Sequence, residues 1–222
     1  MINSLYNTYY FFGALIFANI MMYLFNIIIN HSWNYFYKTE TLKISKLDVK
    51  NSLLILLVNT LVAVPGYILF TKSYIKFMEN HFFIDFLLLF IGFDFTMYVL
   101  HYLSHTLKPL KKLHKDHHQH KYFNIFSLYV MHPFEAFAFG ILLTLACLIF
   151  SLNFYSFIVF IFFNWLYGVI AHLNTKSTNQ PVFFGNHIFH KTHHTKSNCN
   201  YGFYTVFWDK IFNSIYRIKS NK

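Results

Sequence analysis

Long uncharged stretches alternate with short polar ones along the chain. Five apolar blocks stand out, at residues 6–29, 52–70, 82–103, 134–150 and 154–171. Each comes near the roughly 20 residues that an α-helix needs to cross the hydrocarbon core of a bilayer, the fourth being the shortest. The pattern predicts an all-α chain with about four to five polytopic membrane helices. The first block has no basic run before it and no small-residue cleavage site after it, so it reads as an anchor rather than a removable leader. Pro65 and Gly66 fall inside the second block, where a membrane helix tolerates them, and they predict a kink.

Only Ser151, Leu152 and Asn153 separate the last two blocks, which therefore form a tight helical hairpin. A hairpin returns the chain to the side it left. Residues 104–133 and 172–222 must then face one compartment, and together they carry eleven of the 14 histidines. Basic residues give an independent check. Segments 31–51, 104–133 and 172–222 hold 4, 5 and 7 Lys or Arg, which is 16 of the 18, while the opposite side has only Lys72 and Lys76. Basic residues collect on the cytosolic side of membrane proteins, so the histidine-rich face is expected to be a cytosolic helical cap.

Composition agrees with a membrane protein, since 56% of the chain is hydrophobic and Phe alone occurs 30 times. A formal charge of +10 could suggest nucleic acid, but the basic residues flank apolar blocks, so no nucleic-acid partner is expected. Cys147 and Cys199 make neither a disulfide framework nor a C-x-x-C motif. Residues 174–181 read as a loop and 187–194 as a helix.

The 14 histidines outnumber the 8 acidic residues, and most of them fall into three arrays. His101 and His105 stand at i, i+4 near the end of the third block, which puts both rings on one helix face. His114, His117 and His118 form an H-x-x-H-H array followed by His120, and His190, His193 and His194 repeat the spacing. His172 stands alone after the fifth block. One histidine at a helix end is usually a satisfied surface residue, and a lone H-x-x-x-H is a chance occurrence in many helices. Two H-x-x-H-H arrays within about 80 residues are not plausibly accidental. Nine imidazoles exceed the four ligands of one tetrahedral zinc, so two ions are the economical count. Imidazole suits iron, zinc, copper and nickel alike, while the oxygen-rich sets of calcium and magnesium are absent. A membrane-surface setting without an obvious acid–base partner favours redox chemistry.

In order and spacing these arrays resemble the fatty acid hydroxylase/sterol desaturase superfamily of membrane diiron enzymes. The family's H-x-x-x-H, H-x-x-H-H, H-x-N and H-x-x-H-H layout is matched by His101/His105, His114/His117/His118, His172/Asn174 and His190/His193/His194. Asp94 and Tyr98 ahead of His101 match the family's D-x-x-x-Y-x-x-H-x-x-x-H helix, and His132-Pro133-Phe134-Glu135 its H-P-x-E. Asn200-Tyr201-Gly202 and Trp208-Asp209-Lys210-Ile211-Phe212 look like its N-Y-G and W-D-x-x-F signatures. The resemblance covers roughly residues 85–216. It implies two iron ions held by those nine histidines, O2 as co-substrate, a membrane lipid as substrate and a separate electron-transfer protein as donor, because no cytochrome b5-like segment precedes the domain. Some relatives carry a further histidine just before the position of His172, where this chain offers Gly168. His187 or Asn174 then stands as the candidate for a tenth ligand.

These readings divide the chain into anchor helices at 1–81 and a diiron domain at 82–222, in a bacterial inner membrane or an endoplasmic reticulum. Asp94, Tyr98, His101 and His105 share one helix face. A carboxylate inside a membrane helix costs about 2.5–3.5 kcal/mol on insertion scales. Asp94 is therefore expected to accept a hydrogen bond from a ligating imidazole, although a pairing with another helix is the plain alternative. Glu135 could act similarly or lie at the headgroups. His31 and His81 read as interfacial, and His120, His132 and His187 stay undecided. Hydroxylation of a fatty acyl, sterol or related lipid is the leading function and desaturation its close variant. A divalent-metal transporter and a zinc lipid hydrolase are the competing classes.

Overall fold

The computed structural model describes residues 5–217, and among these residues every extended element is helical. Helix α1 (Thr8–Tyr37) is capped by Asn7, whose side chain accepts from the Tyr10 amide. Its buried residues are Asn19, Tyr23, Asn26 and Asn30, spaced by 4, 3 and 4. That spacing is one stripe of a helix with 3.6 residues per turn. The helix is thus inside-out: its polar stripe faces protein, and Phe17, Leu24 and Ile28 face outward where lipid would lie. Each polar residue has a partner. Asn19 donates to Thr60, the Tyr23 hydroxyl meets Ser52 at 2.9 Å, and Asn26 donates to the carbonyl of Ile125.

A capping box of Ser45 and Asp48 starts α2 (Lys46–Leu61), and α3 (Ala63–Thr71) continues the same span. The expected kink is a break at Val62. Pro65 has no N–H, so the carbonyl of Leu61 loses its i+4 donor and the helix restarts. A second helix uses the break. A Cβ built on Gly140 would lie 2.4 Å from Val62 Cγ1, so only glycine lets α6 (Pro133–Ile149) approach this closely.

Helix α4 (Phe82–Thr106) is the central span and packs against α7 (Phe154–Ala171). The α6–α7 hairpin has the predicted short turn. Leu152 accepts from the Met78 amide at 2.9 Å, and Phe154 donates to Met78 at 3.1 Å. Asn153 caps α7, donates its side chain to the Asn80 carbonyl and donates its backbone amide to the Asp85 carboxylate at 2.6 Å. Hairpin turn and α3–α4 connection are therefore at one end, and the histidine-bearing segments emerge at the other. Among the described residues, four spans are long and apolar enough to cross a membrane. The fifth block, α6, has 17 residues, about 25 Å at 1.5 Å per residue, and packs against α2 and α3.

The histidine end is covered by α5 (Lys108–His114), two 3-10 turns (His117–Gln119 and Ser127–Tyr129), α8 (His187–Lys196) and α9 (Phe207–Ile211). Asn186 caps α8 by accepting from the amides of Ile188 and Phe189. The predicted helix at 187–194 is present. The 114–118 array is not one helical face, because α5 ends at His114 and His117 and His118 lie in the following 3-10 turn. The first two spans join this region directly. Tyr23, Ile55, Phe126, Tyr129, Val130 and Ala136 form one buried cluster.

Candidate metal centre

All nine histidines singled out in the sequence converge, and they do so as two groups. His101, His105, His114, His118 and His193 form one; His117, His172, His190 and His194 form the other. Within each group the ligating nitrogens lie within 4.8 Å of one another. The arrays interleave. On α8, residues i and i+4 lie about 40° apart around the axis while adjacent residues lie about 100° apart. His190 and His194 therefore share the second group, and His193 swings to the first. The other array mirrors this: His114 and His118 join the first group and His117 the second.

Behind the rings stands a set of acceptors. Nδ1 of His101 faces the carbonyl of Tyr201 at 2.8 Å, His117 that of Val130 at 3.1 Å, and His172 that of Gly168 at 2.7 Å. His193 faces Cys199 at 2.7 Å and His194 faces His120 at 2.9 Å. His114 Nδ1 lies 2.6 Å from the Glu135 carboxylate. Carbonyl and carboxylate oxygens only accept, so each of these Nδ1 atoms carries the proton and each Nε2 is left as a lone pair.

Those lone pairs point at one another. His117 and His194 Nε2 are 3.1 Å apart, and His117 and His172 Nε2 3.4 Å. No proton is left to lie between such atoms. The buried Nε2 atoms of His101 and His105 have no hydrogen-bond partner at all. A cation in each group resolves both features, since an imidazole lone pair is a metal ligand. Burial also keeps the rings neutral. It holds His117 and His118 down to about 4 and His172 to about 3. His190, His193 and His194 lie well below the ordinary imidazole value, through burial first and crowding by other histidines second. The residues present fit two metal ions bound by nitrogen alone.

Glu135 takes one of the two roles considered for it. One oxygen accepts from His114, and the other accepts from the His132 amide at 3.2 Å, starting α6 as a capping box. Asp94 does not accept from any imidazole, which corrects the expectation. Its carboxylate accepts from the amides of Tyr204 and Thr205, the Thr205 hydroxyl and the Trp208 indole. A charge buried at mid-helix satisfies its lone pairs on the chain nearest to it, and that chain is the C-terminal segment. Asn174 is not placed to ligate either. Its side chain is spent on Phe123, accepting from the amide at 3.0 Å and donating to the carbonyl at 2.7 Å. His187 stacks edge-on against Trp33, away from both groups.

The supporting groups that sequence reading missed are mostly backbone carbonyls, which carry no residue signature. One side-chain support has a faint one. Asp48 on α2 accepts from Asn124 at 2.9 Å and faces His120 at 3.3 Å, and the His120 carbonyl holds His194. The first two helices thus reach the centre through the 120–130 loop. A family model described as fatty acid hydroxylase matches residues 86–214. No curated protein and no solved structure matches the chain.

Proposed function

The chain belongs to the fatty acid hydroxylase family, and from that premise we propose that it is an integral membrane oxidoreductase using two iron ions and O2 to hydroxylate a membrane lipid. The observation that carries this reading is the pair of imidazole groups with their lone pairs turned inward. Bound there, two iron ions would supply O2-dependent oxidation of a C–H bond, chemistry beyond any side chain.

The chain's own residues do the rest. Six acceptors fix the tautomer and tilt of six rings, so both groups are formed before any ion enters. Burial of His172, His190, His193 and His194 excludes water from the inner side. Glu135 holds the Nδ1 proton of His114 and places an anion beside an otherwise all-neutral ligand set. No polar route crosses the described helices at mid-depth as a transporter needs; the buried Asn and Ser of α1 and α2 are consumed in pairing. A zinc hydrolase would use three ligands and an open position, against the five and four seen here.

Electrons come from a separate protein, and the centre faces the cytosol of a bacterial inner membrane or an endoplasmic reticulum. The basic residues clustered on the histidine side support that orientation. The test is turnover of purified, iron-loaded protein with a reductase system, candidate fatty acyl and sterol lipids and isotopically labelled O2. A product carrying one labelled oxygen supports hydroxylation. Loss of two hydrogens without added oxygen makes the protein a desaturase on the same centre, and hydrolysis without O2 consumption contradicts the reading.

A further inference from the structure

We propose that the paired segments 182–185 and 202–212 form a re-entrant element sunk among the acyl chains of the leaflet on the histidine side. The inference rests on the chain spanning a membrane, and not on its chemistry.

Depth comes first. Asp94 is the middle residue of α4, twelve residues from each end, or about 18 Å at the helical rise. Its carboxylate grips the backbone of Tyr204 and Thr205 at 3.1 and 3.0 Å. Below that grip the Tyr204 ring is fully buried against Phe90, Phe163 and Phe160 of the two central spans, and its hydroxyl donates to Asn164 at 2.6 Å. Phe90 lies eleven residues before His101, roughly 16 Å along α4. The segment reaches far below the metal groups.

Non-helical backbone survives at that depth only if its polar groups are satisfied within the protein. Here they are. Val206 donates to Phe183 at 2.9 Å, Gly185 donates to Tyr204 at 3.0 Å, and Phe184 bridges antiparallel to Thr205. The Tyr167 hydroxyl donates between the carbonyls of Gly185 and Tyr204. Asp209 accepts from the amides of Tyr201 and Gly202 at 2.8 and 2.6 Å. Lys210 reaches back to cap the Val182 carbonyl. Asp94, Tyr167 and Asp209 are the polar groups that let an irregular pair of segments enter hydrocarbon.

The outer face supplies the occupant. Val182, Phe183, Phe184, Phe207, Ile211 and Phe212 are all exposed, Val182 by 79% and Phe183 by 60%. Such a patch is costly in water. It continues the outward face of α4, where Ile91 and Phe95 are exposed and Phe95 packs on Trp208 with ring centroids 4.6 Å apart. One surface therefore runs from a membrane-crossing helix onto the element, and acyl chains that cover the first cover the second. The second segment begins directly after Tyr201, whose carbonyl holds His101, so the leaflet lies one residue contact from the centre.

Nitroxide labels on Phe184→Cys and Ile211→Cys in the full chain in lipid vesicles test this, with Lys176→Cys on the exposed polar loop as the aqueous reference. Cys147 and Cys199 are both buried, and the parent chain controls for their labelling. Labels at 184 and 211 are expected to collide several-fold more with dissolved O2 than with a water-soluble nickel chelate, and the label at 176 the reverse. Greater access to the chelate at 184 and 211 overturns the proposal, as does shielding from both reagents, which would mean a second copy or another protein covers the face. The readout needs neither metal nor turnover, so failure here leaves the oxidative reading standing.

Discussion

The Nε2 atoms of His118 and His193 lie 3.0 Å apart, although 75 residues separate them in the chain. They come from different H-x-x-H-H arrays and belong to one group, while His117 and His194, their immediate neighbours in sequence, belong to the other. The interleaving means that each array contributes rings to both groups. Residues of one group should therefore fail together. His118→Ala and His193→Ala are each expected to lower bound metal by about one ion per chain, and the double variant to lose little more than either single one, as residues sharing one site are non-additive. Metal content per folded chain, measured by mass spectrometry, checks this. Loss of both ions in the double variant would mean that the two residues hold separate ions.

Glu135→Gln keeps an oxygen for the α6 capping box but removes the anion behind His114. Changes at such supporting residues typically cost about 10–100-fold in metal affinity. Competition with a chelator is expected to show that loss for one ion and leave the other close to the parent value. An equal loss at both would place Glu135 in general folding rather than in support of one group.

Asp94→Asn separates the observed role from the one its helix position suggests. The carboxylate accepts four hydrogen bonds from the C-terminal segment. An Asn amide would turn donors toward some of those donors, at a cost of about 1–3 kcal/mol for each one left unsatisfied. The melting temperature in detergent is expected to fall, with metal per folded chain retained. Unchanged stability with lost metal would return Asp94 to the support of a ligating imidazole.

Chelation should loosen only what the ions tie together. Hydrogen exchange is expected to rise in 108–130 and 187–201, whose histidines meet at the two groups, and to stay low in α1 and α4. Uniform deprotection would make metal binding inseparable from folding of the whole chain.

Eight of the nine histidines were legible because ligand spacing is written in residue type: an i, i+4 pair and H-x-x-H-H arrays need no structure to be seen, whereas His172 was placed only by the family's H-x-N resemblance. The hairpin was legible because three residues cannot hold two helices any other way. Asp94 was misread, since a sequence shows that a buried carboxylate needs partners but not which segment folds back to supply them. The carbonyls of Tyr201, Val130, Gly168 and Cys199 were invisible, because every residue has one. The polar stripe Asn19, Tyr23, Asn26, Asn30 was visible in principle at helical spacing, and it passed unnoticed because α1 was read by its overall hydrophobicity.

Two nitrogen-only groups should take up two ions, and anaerobic titration of ferrous iron into metal-free protein counts them. Binding is expected to saturate at two iron ions per chain, and at one in the His193→Ala variant. Saturation at a single ion in the parent protein, or two ions bound equally well after His193 and His194 are both replaced, would contradict it.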